Sequence, residues 1–155
     1  MKTVRKTSIF PAERDAVFSR LQELSMLQHI AAPYATFTPV DAAQPAVWTV
    51  GSTSAYRFRL FGVIPFGIHT IHIERFDCDC IRSREGNAHV PVWNHKIYLR
   101  DHGNETEYTD EVDIEAGWKT VFIWLWAKAF YAHRQKKWIR MLKENMPKGD
   151  GKCFR

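Results

Sequence analysis

Cysteine is scarce in this 155-residue chain: Cys78, Cys80 and Cys153 are the full set. Three thiols make neither a disulfide framework nor a zinc site, since no second cysteine pair and no histidine at ligand spacing accompanies Cys78 and Cys80. That usage, with no visible secretory leader, leads us to expect a reducing, cytoplasmic setting. Long apolar runs are also missing. The longest, over 120–132, is too short to span a bilayer and carries Lys128. No G-x-G-x-x-G, Walker A or H-E-x-x-H pattern occurs, which removes the usual dinucleotide, phosphate-loop and zinc-protease chemistries; we expect no cofactor and no metal. No serine or cysteine sits in a recognisable nucleophile context, and there are no repeats or low-complexity stretches.

What the chain does have is aromatic side chains. Phe, Trp and Tyr make up 14% of it, within a hydrophobic content of 45%. Bulky rings must pack or line a pocket. The net charge of +5 is divided between an acidic stretch at 101–115 and a basic C-terminal region. The two partly cancel as a field, so a nucleic-acid footprint is not expected. Length and composition predict one domain over 1–146, followed by a basic tail at 147–155.

The chain is organised around 117–142, which reads as one long helix stopped by Pro147. Tyr131, Trp138 and Leu142 align with Trp124 on one face, opposite Lys136, Lys137, Arg140 and Lys143. The first half is apolar all round, with Phe122, Trp126 and Phe130 on the side that later becomes charged. Such a surface is either buried twice over or presented to a membrane or to a second copy in a homodimer. Before this helix, 3–10 reads as a strand, Pro11 opens a helix bearing Val17, Phe18, Leu21 and Leu24, and 25–32 forms a second short helix. Pro33, Pro39 and Pro45 mark a loop. Strands are then expected at 46–51, 54–61, 66–76, 78–84, 92–100 and 105–115, with an apolar connection at 62–67 and a turn at Glu85-Gly86-Asn87. This order is α+β rather than alternating βαβ.

Ile9-Phe10-Pro11-Ala12 leading into the Val17-Phe18 helix, Trp93-Asn94-His95 in a late strand, and Tyr108-Thr109-Asp110-Glu111-Val112 with Gly117 before the last helix follow one another as in a known superfamily. Over nearly its whole length the chain resembles the START-like helix-grip (SRPBCC) proteins. That resemblance implies a curved antiparallel sheet of about seven strands wrapped on a long C-terminal helix, with two short helices after the first strand. A cavity would lie between sheet and helix. Members include lipid and sterol carriers, plant hormone binders, polyketide cyclases and a quinone-binding chaperone, so the fold alone leaves function open.

Within that frame the chain is expected to bind an apolar small molecule such as a lipid, quinone, polyketide or aromatic metabolite. The candidate wall is Phe58, Trp93, His95, Ile97, Tyr108, Asp110, Val112, Trp124, Tyr131 and Trp138. Two members stand out. His95 shares a strand face with Trp93, Ile97 and Leu99. Asp110 shares one with Tyr108, Val112 and Ile114, where an ionised carboxylate needs a partner. A loop at 101–104 would set Arg100 opposite Glu105 and hence His95 opposite Asp110. The pair is either a structural staple or, in a cyclase or dehydratase, a general acid–base with its orienting carboxylate.

Overall fold

The computed structural model describes residues 1–43 and 47–144. The expected basic tail at 147–155 lies outside them. The order is β1 (Lys2–Phe10), α1 (Arg14–Leu21), α2 (Leu24–Ala31), β2 (Ala35–Pro39), β3 (Thr53–Leu60), β4 (Ile64–Phe76), β5 (Cys80–Gly86), β6 (Val92–His102), β7 (Glu105–Glu115), a short 3-10 turn (Gly117–Lys119) and α3 (Thr120–Glu144). All seven strands form one antiparallel sheet in the order β1-β7-β6-β5-β4-β3-β2. This is the helix-grip arrangement, with two short helices after the first strand and a long helix across the inner face. Among the described residues no helix is long and apolar enough to cross a membrane.

Gly117, at φ 56°, turns the chain out of β7. Thr120 Oγ1 then accepts the Ala116 N–H at 2.9 Å and donates to Gly117 O at 2.7 Å, fixing the entry to α3. α3 runs 25 residues, about 37 Å at 1.5 Å per residue. Its buried residues include Ala127, Tyr131, Arg134, Gln135, Trp138 and Leu142, a stripe at three-to-four spacing. The stripe lies over β1 and β7. The inner faces of β3, β4 and β5 therefore look across open space at the helix. Phe10, Tyr108 and Trp138 fill one end, with ring centroids 4.3 Å apart for Phe10–Tyr108 and 5.8 Å for Phe10–Trp138.

Four local expectations are corrected. No strand forms at 47–51, and the second strand is instead Ala35–Pro39, within the stretch read as loop. Alternation at Ala35 and Phe37 builds it, and Pro39 is tolerated because β2 is an edge strand. (Ala46 of the expected strand lies outside the described residues.) The β3–β4 connection is shorter than 62–67: Leu60 pairs with Ile64, and Phe61 and Gly62 take the positive φ values of the turn. β5 starts and ends two residues later than expected. Asp77 Oδ1 accepts the N–H groups of Asp79 and Cys80, so 77–79 is a turn and Cys78 is not in the strand with Cys80. Finally, the β6–β7 turn is tighter, with His102 opposite Glu105 and Gly103 at φ 70°. His95 therefore opposes Val112, and Ile97 opposes Asp110. The shift is two residues, so every side chain keeps its face.

Candidate functional site

Between the sheet, α1, α2 and α3 lies a cavity of about 460 Å³. Its surface is mostly apolar and aromatic. Of the ten residues expected in its wall, Phe58, Trp93, His95, Ile97, Tyr131 and Trp138 line it. Four do not. Tyr108, Asp110 and Val112 are completely buried on β7, beside β1 and beneath α3. Trp124 faces away from the cavity over β1: its Nε1 donates to Thr3 O at 2.9 Å, and the Lys2 and Lys128 ammonium groups lie 4.8 and 4.6 Å from its ring. Trp124 shares the helix face of Ala127 and Tyr131 as expected, but at its level that face lies over β1 rather than over the cavity.

Phe122, Trp126 and Phe130, read as either buried on both sides or in part exposed for docking, also line the cavity. Phe130 is 4% exposed and stacks on the partly buried Trp126 at 4.9 Å, whereas Phe122 is 67% exposed. The first turns of α3 thus form a mouth. Trp118, Val121, Phe122 and Leu125 make an exposed apolar stripe there at helical spacing. The β3–β4 tip adds exposed Phe61, Val63 and Ile64. Tyr34 links the two, its ring 5.9 Å from Phe61 and 6.5 Å from Phe130.

One wall of the cavity is polar. His95 Nε2 meets Asp110 Oδ1 at 2.8 Å, diagonally across the observed register. Asp110 also accepts hydrogen bonds from Gln135 Nε2 at 2.9 Å and from the Tyr108 hydroxyl at 3.2 Å, and Arg134 lies 4.0 Å away. Burial alone would raise the Asp110 pKa. The Arg134 guanidinium, then the contact with His95 and the Gln135 hydrogen bond, outweigh it and hold the carboxyl below its ordinary value. On its other side, His95 Nδ1 is 3.8 Å from Glu85 Oε1. Glu85 Oε2 meets His69 Nε2 at 2.9 Å, and Oε1 accepts the Ser83 hydroxyl. Burial would raise Glu85 too, but His69 and His95 outweigh it and the carboxyl stays low.

His69, Ser83, Glu85 and Arg134 line the cavity and were not among the expected wall residues. Glu85 was hidden because Glu-Gly-Asn reads as a turn, while the strand continues to Gly86. Arg134 was legible: it stands three residues from Tyr131 and four from Trp138, on the face already assigned inward. Both ring nitrogens of His95 point at carboxylates. Only Nε2 is hydrogen-bonded, to Asp110; Nδ1, at 3.8 Å from Glu85, is beyond hydrogen-bond distance, and the ring lines the cavity.

A family model described as "Domain of unknown function (DUF8410)" matches residues 8–142. The chain belongs to that family. No curated protein matches it. Solved structures do. A START superfamily protein from Mycobacterium smegmatis is 12% identical, with a TM-score of 0.70 over 92% of this chain and 97% of that one. A protein from Arthrobacter aurescens is 14% identical, with a TM-score of 0.72 over 96% and 90%. A protein of the dynemicin biosynthetic locus is 17% identical, with a TM-score of 0.61 over 92% of this chain but 48% of that one, so this chain spans about half its length. These likenesses establish the fold: the chain has the START-like helix-grip fold.

Proposed function

We propose that the protein binds an apolar small molecule, a lipid, quinone, polyketide or aromatic metabolite, in the cavity between sheet and α3. The observation that carries this is the cavity itself: about 460 Å³, walled by aromatic and aliphatic side chains, with a confined polar strip. Small-molecule sites combine these features. Native mass spectrometry of protein purified from its own host tests this. A retained small-molecule mass, lost on mild organic extraction, is the expected result. An empty chain that turns over polyketide-like substrates would favour the enzyme instead.

A second reading concerns the mouth: we propose that it docks on an anionic membrane surface. Beside the exposed apolar stripe, no Asp or Glu occurs in 42–73 or in 116–143, the segments that carry the β3–β4 tip and α3. The charges they do carry, among them Arg57, Arg59, Lys119 and Lys128, are positive, which suits anionic lipid and opposes pairing with a second copy. Co-flotation with phosphatidylcholine vesicles should require added phosphatidylserine. Phe122→Asp should weaken it about tenfold, the scale of one apolar side chain's burial. Dimerisation in solution without vesicle binding would replace the membrane with a second copy.

A further inference from the structure

A carboxylate in the wall of an apolar cavity is costly unless something repays it. Glu85 is such a group: its side chain is 9% exposed and lines the cavity. Its hydrogen bonds come from His69 and Ser83. The third neighbour, His95 Nδ1 at 3.8 Å, is beyond hydrogen-bond distance. An ionised carboxylate offers about four acceptor positions, so two filled positions leave it able to accept more. The nearby cation, Arg134, lies 4.0 Å from Asp110 and donates to the Tyr108 hydroxyl at 3.4 Å, while its Nε is a buried donor with no hydrogen-bond partner among the described residues. Beside this and the unpartnered indole N–H groups of Trp126 and Trp138, the wall offers an incoming molecule an acceptor of negative charge at Glu85.

Resting on the proposed binding function, we infer that Glu85 anchors the ligand by accepting a hydrogen bond from a hydroxyl group. The ligand class narrows accordingly to neutral, hydroxyl-bearing apolar molecules, such as phenols or hydroxylated polycycles. A plain hydrocarbon leaves the acceptor unmet. A carboxylic acid, ionised at neutral pH, brings a second negative charge beside it in a region of low dielectric.

The test uses two probes of nearly equal shape, 2-naphthol and 2-methylnaphthalene, titrated against the wild type and Glu85→Gln. Comparing the ratio of their dissociation constants between the two proteins cancels the difference in their hydrophobicity. The expected result is that Glu85→Gln erodes the naphthol preference about tenfold, the scale of a hydrogen bond to a charged acceptor. An unchanged ratio with both probes binding overturns the anchoring role and leaves the cavity reading standing. Failure of both probes to bind the wild type overturns both. Should Glu85→Gln not fold, the wild type decides: the Glu85 carboxyl carbon resonance should move with 2-naphthol and stay with 2-methylnaphthalene, and equal movement with both refutes the anchor.

Discussion

Asp110 and Arg134 are a buried ion pair with no solvent to fall back on. Removing one charge strands the other, and stranded buried charges typically cost about 3–5 kcal/mol. Asp110→Asn should therefore lower urea stability by roughly that amount. The same carboxyl sets the acid response. A group whose pKa is depressed on folding contributes stability above its unfolded value and loses that contribution as pH falls through its folded value. For Asp110 and Glu85, with ordinary values of 3.8 and 4.5, both depressed, the urea midpoint should hold from neutral pH to about 4.5 and fall below it. The fall should be shallower in Asp110→Asn. A midpoint that instead rose on acidification would show that these carboxyls are not held ionised by the fold. Gln135 completes this group from α3, accepting from the Ser8 hydroxyl at 2.7 Å and donating to Lys6 O at 2.9 Å, so β1, β7 and the helix are joined at one polar point.

At the scale of elements, the end of β5 positions the cavity's carboxylate. Gly86 lies where a Cβ would come 2.5 Å from the Pro91 carbonyl oxygen. Asn87 Oδ1 accepts the N–H groups of His89 and Val90, both at 2.8 Å, folding the following loop back against the strand. Gly86→Ala should cost about 1–3 kcal/mol, as overpacking does, and should also weaken 2-naphthol binding because Glu85 is its neighbour. Equal stability would mean that the loop yields freely. The same segment shows where sequence reading stops. Alternation placed His95 and Asp110 on inner faces, and period two preserved that through a two-residue error in the turn. Alternation could not place the turn itself, because Asp101-His102-Gly103-Asn104 accommodates either length. Nor could it recover β2: a short edge strand ending in proline presents few apolar positions. The long helix and the order of elements were legible because many residues vote for each. Glu85 was not, because Glu85-Gly86-Asn87 reads as a turn whereas the strand continues to Gly86.

The whole molecule divides its helix in two. The second half packs down on β1 and β7, and Trp138 with Phe10 and Tyr108 closes that end. The first half keeps Trp124 on β1 but turns Phe122, Trp126 and Phe130 to the cavity, where aromatic side chains surround open space rather than fill it. An apolar void of this size forgoes packing that a natural core would otherwise take up, and a bound molecule would restore it. The most direct test is a titration of the wild type and the cavity-filling variant Ile71→Trp with 2-naphthol, each first shown to be folded. Saturable binding of one molecule per chain, lost in Ile71→Trp, is the result predicted by ligand binding in this cavity. No binding to the wild type, or equal binding to the filled variant, would contradict it.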